Sequence, residues 1–166
     1  MKFDPDGMRE KLRQPFPAGR RLEPSPREEA RMEALLEALG RAAGEAARGS
    51  SEEEVAAAEA DLGVPFPAGY RRFLLHAGGA SRAPAWRGLW RIDEVVSLNR
   101  SLPVFRWFGG LLGVGNEGFL VYALDYRAAA EEPPLVSVGL SSSDPSDVEP
   151  LAGRFEDWLA ETLPSA

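Results

Sequence analysis

The 166-residue chain contains no cysteine, which excludes disulfide bridges, thiolate metal sites and cysteine nucleophiles and is neutral about compartment. Its single histidine, His76, excludes a histidine-rich metal cluster or a relay between two histidines within one chain. No apolar run approaches the roughly 20 residues that a membrane-spanning helix needs. The amino-terminal "MKFDPDGMREKLRQPFP" also lacks the apolar stretch of a secretion signal. These absences lead to the expectation of a soluble, cytoplasmic protein without a membrane partner. Basic residues are scarce in the main body: residues 49–166 carry nine against seventeen acidic side chains, while residues 1–48 carry ten against nine. Binding nucleic acid requires a cationic surface that releases counterions. An acidic body is therefore expected to avoid nucleic acid and to suit a basic protein, and the same charge also keeps a protein in solution.

What is present begins with helix signals. Residues 1–24 hold four prolines and no hydrophobic period, so an extended arm is expected there. Residues 25–48 read as an additional helix. Ser25 is a good N-cap, Pro26 fits the first helical position and Glu28 completes a capping box, while Met32, Leu35, Leu36, Leu39, Ala43 and Ala46 make one apolar stripe. A second helix has Ser51 as cap, Glu54 three residues on, Val55, Ala58 and Leu62 inside and Gly63 at its end. Pro65 and Pro67 separate it from a third, with Tyr70, Phe73, Leu74 and Ala77 on one face and Gly78 and Gly79 closing it. His76 falls near the carboxyl end of that helix, where an imidazole is favoured without any catalytic role.

Further on, "SRAPAW" reads as a loop, Leu89 to Arg91 as a short strand, and the next residues as a short helix with Asp93 as N-cap and Val96 inward. From Trp107 glycine, aromatic and β-branched residues dominate, and "WFGGLLGVGNEGFLVYALDY" with "PPLVSVGL" predicts three antiparallel strands. "SSSDPSDVE" is a polar loop, and "PLAGRFEDWLAETL" a closing helix with Leu151, Phe155, Trp158, Leu159 and Leu163 on its stripe. Helices, then strands, then a helix, without βαβ alternation, argue for an α+β fold: a single antiparallel β-sheet flanked by helices.

Gly113, Gly115 and Gly118 spell G-x-G-x-x-G, with Glu131 and Glu132 downstream, which is the literal dinucleotide fingerprint. That fingerprint works only where a helix leads out of the glycines and offers its free N–H groups to the pyrophosphate. Here "FLVYALDY" follows, with strand-like composition and no helical stripe, and Glu117 places a negative charge inside the turn. A hairpin is the better account, with Gly115, Asn116 and Gly118 supplying turn conformations. Asp93, Glu94, Asp125, Asp144 and Asp147 form no recognisable ligand set. Glu52, Glu53 and Glu54 suit a helix amino terminus, and Ser141 to Ser143 form a loop. No catalytic, metal-binding or cofactor-binding residue is therefore expected.

"SEEEVAAAEADLGVPFPAGYRRFLLHAGG" resembles the opening signature of the SUKH superfamily, the group around the Smi/Knr-like domain, through Glu59, Leu62, Gly63, Phe66, Pro67, Tyr70, Phe73, Leu74, Gly78 and Gly79. "GVGNEGFLVYALDY" is similar to that family's glycine-rich hairpin through Tyr122, Leu124 and Asp125, and "RFEDWLAETL" to its last helix through Phe155, Trp158 and Leu159. Ala77 stands where the family often has Asn, and Phe66 where Leu is frequent. The resemblance covers residues 50–163 and implies a SUKH domain over 49–166, with no catalytic centre. It also implies an immunity protein, one that binds and neutralises a polymorphic toxin, often a nuclease or deaminase. A regulatory or scaffold module for an endogenous partner is the alternative, and a nucleotide-linked enzyme the third reading. Trp is enriched at binding hot spots, so Trp86, Trp90 and Trp107, with Asp144, Asp147 and Glu149 around them, are the expected partner-binding residues.

Overall fold

Ser25 opens the first of the described helices as its sequence predicts. In the computed structural model, which describes residue 16 and residues 21–43, 49–77, 88–128 and 131–162, the Ser25 N–H donates to Glu28 (2.7 Å) and the Glu28 N–H to Ser25 Oγ (3.2 Å). Helix α1, Pro26–Ala43, follows and buries Met32, Leu36 and Leu39. Helix α2, Glu52–Leu62, is capped by the Ser51 side chain, which accepts from the Glu54 N–H, and ends at Gly63 with φ 71°. Helix α3, Ala68–Ala77, turns Tyr70, Phe73, Leu74 and Ala77 into the core. Ala46, Gly78, Gly79, the "SRAPAW" loop, Leu163 and nearly all of the proposed arm lie outside the described residues.

The next stretch departs from expectation. Leu89 makes only an isolated bridge, to Gly115, and not a strand. Helix α4, Ile92–Ser101, has its N-cap at Arg91, two residues before the expected Asp93, because the Glu94 carboxylate reaches back to accept the Arg91 N–H (3.3 Å). With the phase moved, Val95 is fully buried and Val96 only partly so. A four-residue helix α5, Val104–Trp107, then leads into the sheet.

The sheet has four antiparallel strands in the order of the chain: β1 (Leu111–Glu117), β2 (Leu120–Asp125), β3 (Leu135–Gly139) and β4 (Glu149–Ala152). The fourth corrects the prediction of three. Residues 149–152 pair with 135–137, so Glu149 leaves the polar loop, Leu151 leaves the helical stripe, and helix α6, Phe155–Thr162, begins only at Phe155. Pro150 is compatible with this position because β4 is an edge strand, where a missing N–H is tolerated.

Tyr122 and Ala123 point to opposite faces of the sheet, and both faces are covered. Trp158 of α6 packs on Tyr122 with ring centroids 5.0 Å apart. On the other face Gly113, opposite Ala123, lies against Trp90 and Phe105. An aromatic chain of Phe66, Tyr70, Phe155 and Trp158, with Phe73 on Phe155, joins α3 to α6 at centroid spacings of 5.1 to 6.2 Å. The outer edge of β1 is occupied as well. Asn99 of α4 donates to the Gly113 carbonyl (2.8 Å) and accepts its N–H (2.7 Å), and residues 88–90 bond Val114 and Asn116. Pairing by an amide side chain and a short bridge protects an edge that would otherwise invite another strand.

Candidate protein-binding surface

The glycine stretch is a hairpin. Glu117 pairs with Leu120 across a two-residue connection, Gly118–Phe119, and β2 continues as a strand with no helix leading out. Of its three glycines only Gly118 has a positive φ, 58°. Gly113 and Gly115 are explained by close approach instead: a Cβ on Gly115 would meet the Gly88 carbonyl at 2.8 Å, and one on Gly113 would run into Phe105 and Trp90. The turn role expected of Gly115 is therefore a packing role, because the bridge to Leu89 needs bare backbone there.

The residues expected to bind a partner are dispersed. Trp86 lies outside the described residues. Trp90 is 2% exposed, with its indole N–H donated to Asn116 Oδ1 at 2.7 Å, so its ring belongs to the core and drops out of the surface. Trp107 is 47% exposed but stands just before β1, at the end of the sheet opposite the hairpin. A strand of that length puts about 20 Å between them. Asp144 and Asp147 sit on the β3–β4 connection at the hairpin end, and Glu149 opens β4 beside them.

That end of the sheet also carries what sequence reasoning missed. Phe119 is 84% exposed and Leu120 42%. The strand-like composition of "FLVYALDY" includes Phe119, but the strand begins at Leu120; the usable signal is its place directly after Gly118, at the corner of a two-residue turn. The Leu140 N–H donates to the Phe119 carbonyl (2.7 Å), tying the β3–β4 connection to the hairpin tip.

No lysine or arginine occurs in residues 111–126 or 131–153. Among the carboxylates there, Asp125 is held by Arg127 and Glu132 by Arg154, each at 3.0 Å. Glu117, Asp144, Asp147 and Glu149 have no ion pair among the described residues. Glu117 accepts from the Tyr122 hydroxyl (2.7 Å) and Asp147 from Ser142 (2.6 Å). Asp144 accepts from the Ser146 N–H (2.9 Å), which holds its carboxyl below the usual range and so keeps it charged.

A cleft of about 240 Å³ lies where the starts of α1, α3 and α6 meet. Its charges are largely mutually satisfied. Arg154 bonds Glu28 and Glu132, and Arg71 bonds Glu52 (2.5 Å) and Glu59 (3.0 Å). The Arg154 hydrogen bond, with the Ser25 N–H and hydroxyl, brings the Glu28 carboxyl down to about 2. Glu59 also accepts from Arg21 (2.7 Å) and from the Phe66 N–H (3.3 Å), so it staples the α2–α3 turn to the segment before α1. Among the described residues no three His, Asp or Glu side chains gather as a metal site, and no helix is long and apolar enough to cross a membrane.

A four-stranded antiparallel meander covered by helices on both faces, with no ligand-like constellation in the described residues, defines an α+β domain of the SUKH-like kind. Residues 49–161 match the SMI1 / KNR4 family (SUKH-1), and the chain belongs to that family. A search among curated proteins finds no match. The positions that carried the resemblance turn out to be largely architectural: Glu59 staples a turn, Tyr70, Phe73 and Phe155 fill the core, and Asp125 accepts the Arg127 N–H to close the turn after β2.

Proposed function

We propose that this chain is a non-enzymatic binding domain of the immunity type, which acts in the cytoplasm by sequestering a basic toxin domain such as a nuclease or deaminase. Family membership supports a protein partner. The observation that carries the sign of that partner is the run of residues 111–126 and 131–153, which holds carboxylates and not one cation. A concentrated negative field raises the encounter rate with a basic surface and disfavours acidic competitors. No reaction is assigned, and no cofactor. The test is coexpression with the toxic domain encoded by the neighbouring reading frame. Restored growth together with a co-purifying complex is expected; a toxin that still kills and does not co-purify refutes the reading.

A further inference from the structure

We infer that the β1–β2 hairpin tip is the docking element, with the Phe119 ring entering an apolar hollow on a basic protein while Glu117, Asp144, Asp147 and Glu149 pair with the cations around that hollow. The inference rests on the reading above that the partner is a basic protein, and adds which surface meets it.

Three observations converge on this end of the molecule. The first is the apolar content: Phe119 is the most exposed of the large hydrophobic side chains described, with Leu120 next to it. Nothing in the fold calls for an aromatic there, since the turn conformation is supplied by Gly118 and the hairpin register by the strands on either side. Aromatic side chains of this kind are enriched at the centres of interfaces, surrounded by polar rims.

The second is charge. The four carboxylates at or beside this end have no cationic partner among the described residues, in contrast to the paired charges of the cleft. An interface rim of one sign fixes the sign of the surface it meets.

The third is rigidity. The tip is braced from both sides: Asn116 donates to the Gly118 carbonyl (3.0 Å) and is itself held by Trp90, and Leu140 bonds Phe119. The acidic connection is braced by its own Ser142–Asp147 and Asp144–Ser146 bonds. A surface already ordered before binding loses little entropy on docking. Trp107 stands at the far end, where the aromatic residues beside it in sequence, Phe105 and Phe108, are partly buried and buried.

The full chain is tested with the photo-crosslinking residue p-benzoylphenylalanine placed at position 119 or, in a second version, at 107, in the native cell. The inference expects a discrete adduct from 119, mapped by mass spectrometry to a basic domain, and none or far less from 107. With that partner purified, Phe119→Ser weakens binding by about 30-fold or more, the effect of a hot-spot side chain. The triple variant Asp144→Asn, Asp147→Asn, Glu149→Gln slows association and flattens its salt dependence. Because Phe119 is solvent-exposed, unchanged thermal melting shows that the fold is intact. No adduct at 119, an adduct only from 107, or one mapping to an acidic segment overturns the inference. If the neighbouring toxin is neutralised equally well by Phe119→Ser, the surface is wrong and the immunity reading stands. If no toxin is neutralised but 119 joins another basic protein, the reverse holds.

Discussion

Replacing the three glycines of the G-x-G-x-x-G stretch one at a time separates a packing role from a phosphate-binding one. Gly115→Ala would place its Cβ 2.8 Å from the Gly88 carbonyl oxygen and 3.0 Å from Leu89 Cα, both of them backbone atoms that cannot swing aside. The bridge must part, breaking the Trp90 N–H to Val114 and Asn116 N–H to Gly88 bonds. Each is worth about 1 kcal/mol, and overpacking adds about 1 kcal/mol or more, so a loss of at least roughly 3 kcal/mol is expected. Gly113→Ala meets ring atoms instead. Phe105 is only partly buried and can yield, whereas Trp90 is pinned through Asn116, which gives about 1–2 kcal/mol. Gly118→Asn has open space around it and a φ that Asn adopts readily, so it costs well under about 1 kcal/mol. Urea unfolding at a slope near 2 kcal/mol per M converts these to midpoint drops of at least about 1.5 M, about 0.7 M and almost nothing. The reasoning is refuted if Gly118→Asn proves the most damaging, or if a dinucleotide raises the melting temperature saturably in the parent and not in the glycine variants.

Two further perturbations probe the elements around the family match. Leu39 of α1 precedes the matched residues yet is fully buried. Leu39→Ala should therefore lower the stability of the whole domain by about 2–5 kcal/mol in one cooperative transition; a main transition left unmoved would mean that α1 melts separately. Glu156, in the first turn of α6 with its carboxyl against Gly69, has its pKa raised above 4.5 by burial, outweighing its backbone hydrogen bond and Arg154. A folded value above the unfolded one means that the native state holds the proton more tightly, so this group costs stability as pH rises from 4.5 through the folded value. Glu156→Gln should melt higher than the parent at pH 7, and the gain should shrink as pH falls through the folded value and be gone below about 4.5; a variant that melts lower at pH 7 contradicts this.

Helices were legible where local rules suffice. The Ser25 and Ser51 caps, the Gly63 stop and the stripe on α3 depend on residues a few positions apart, and each forms as written in the chain. The first two strands and their reversal were equally local. The misses share a cause. β4 is four residues of ordinary composition, a strand only because β3 offers it a partner. The start of α4 moved because one carboxylate, Glu94, reached back to a backbone N–H that the Asp93 rule ignores. Trp90 reads as a surface anchor until Asn116, 26 residues away in sequence, takes its indole N–H.

By itself, then, the chain determined its class, its helix boundaries at well-capped ends, its reversal at Gly118 and the negative sign of its carboxyl-terminal two thirds, because composition, periodicity and capping act over short distances. Tertiary structure alone decided that Trp90 is buried, which carboxylates pair with arginines among the described residues, and that Phe119 stands in solvent at the acidic end of the sheet. Those outcomes depend on pairings between distant segments, and no local pattern encodes which side chain will reach which partner first.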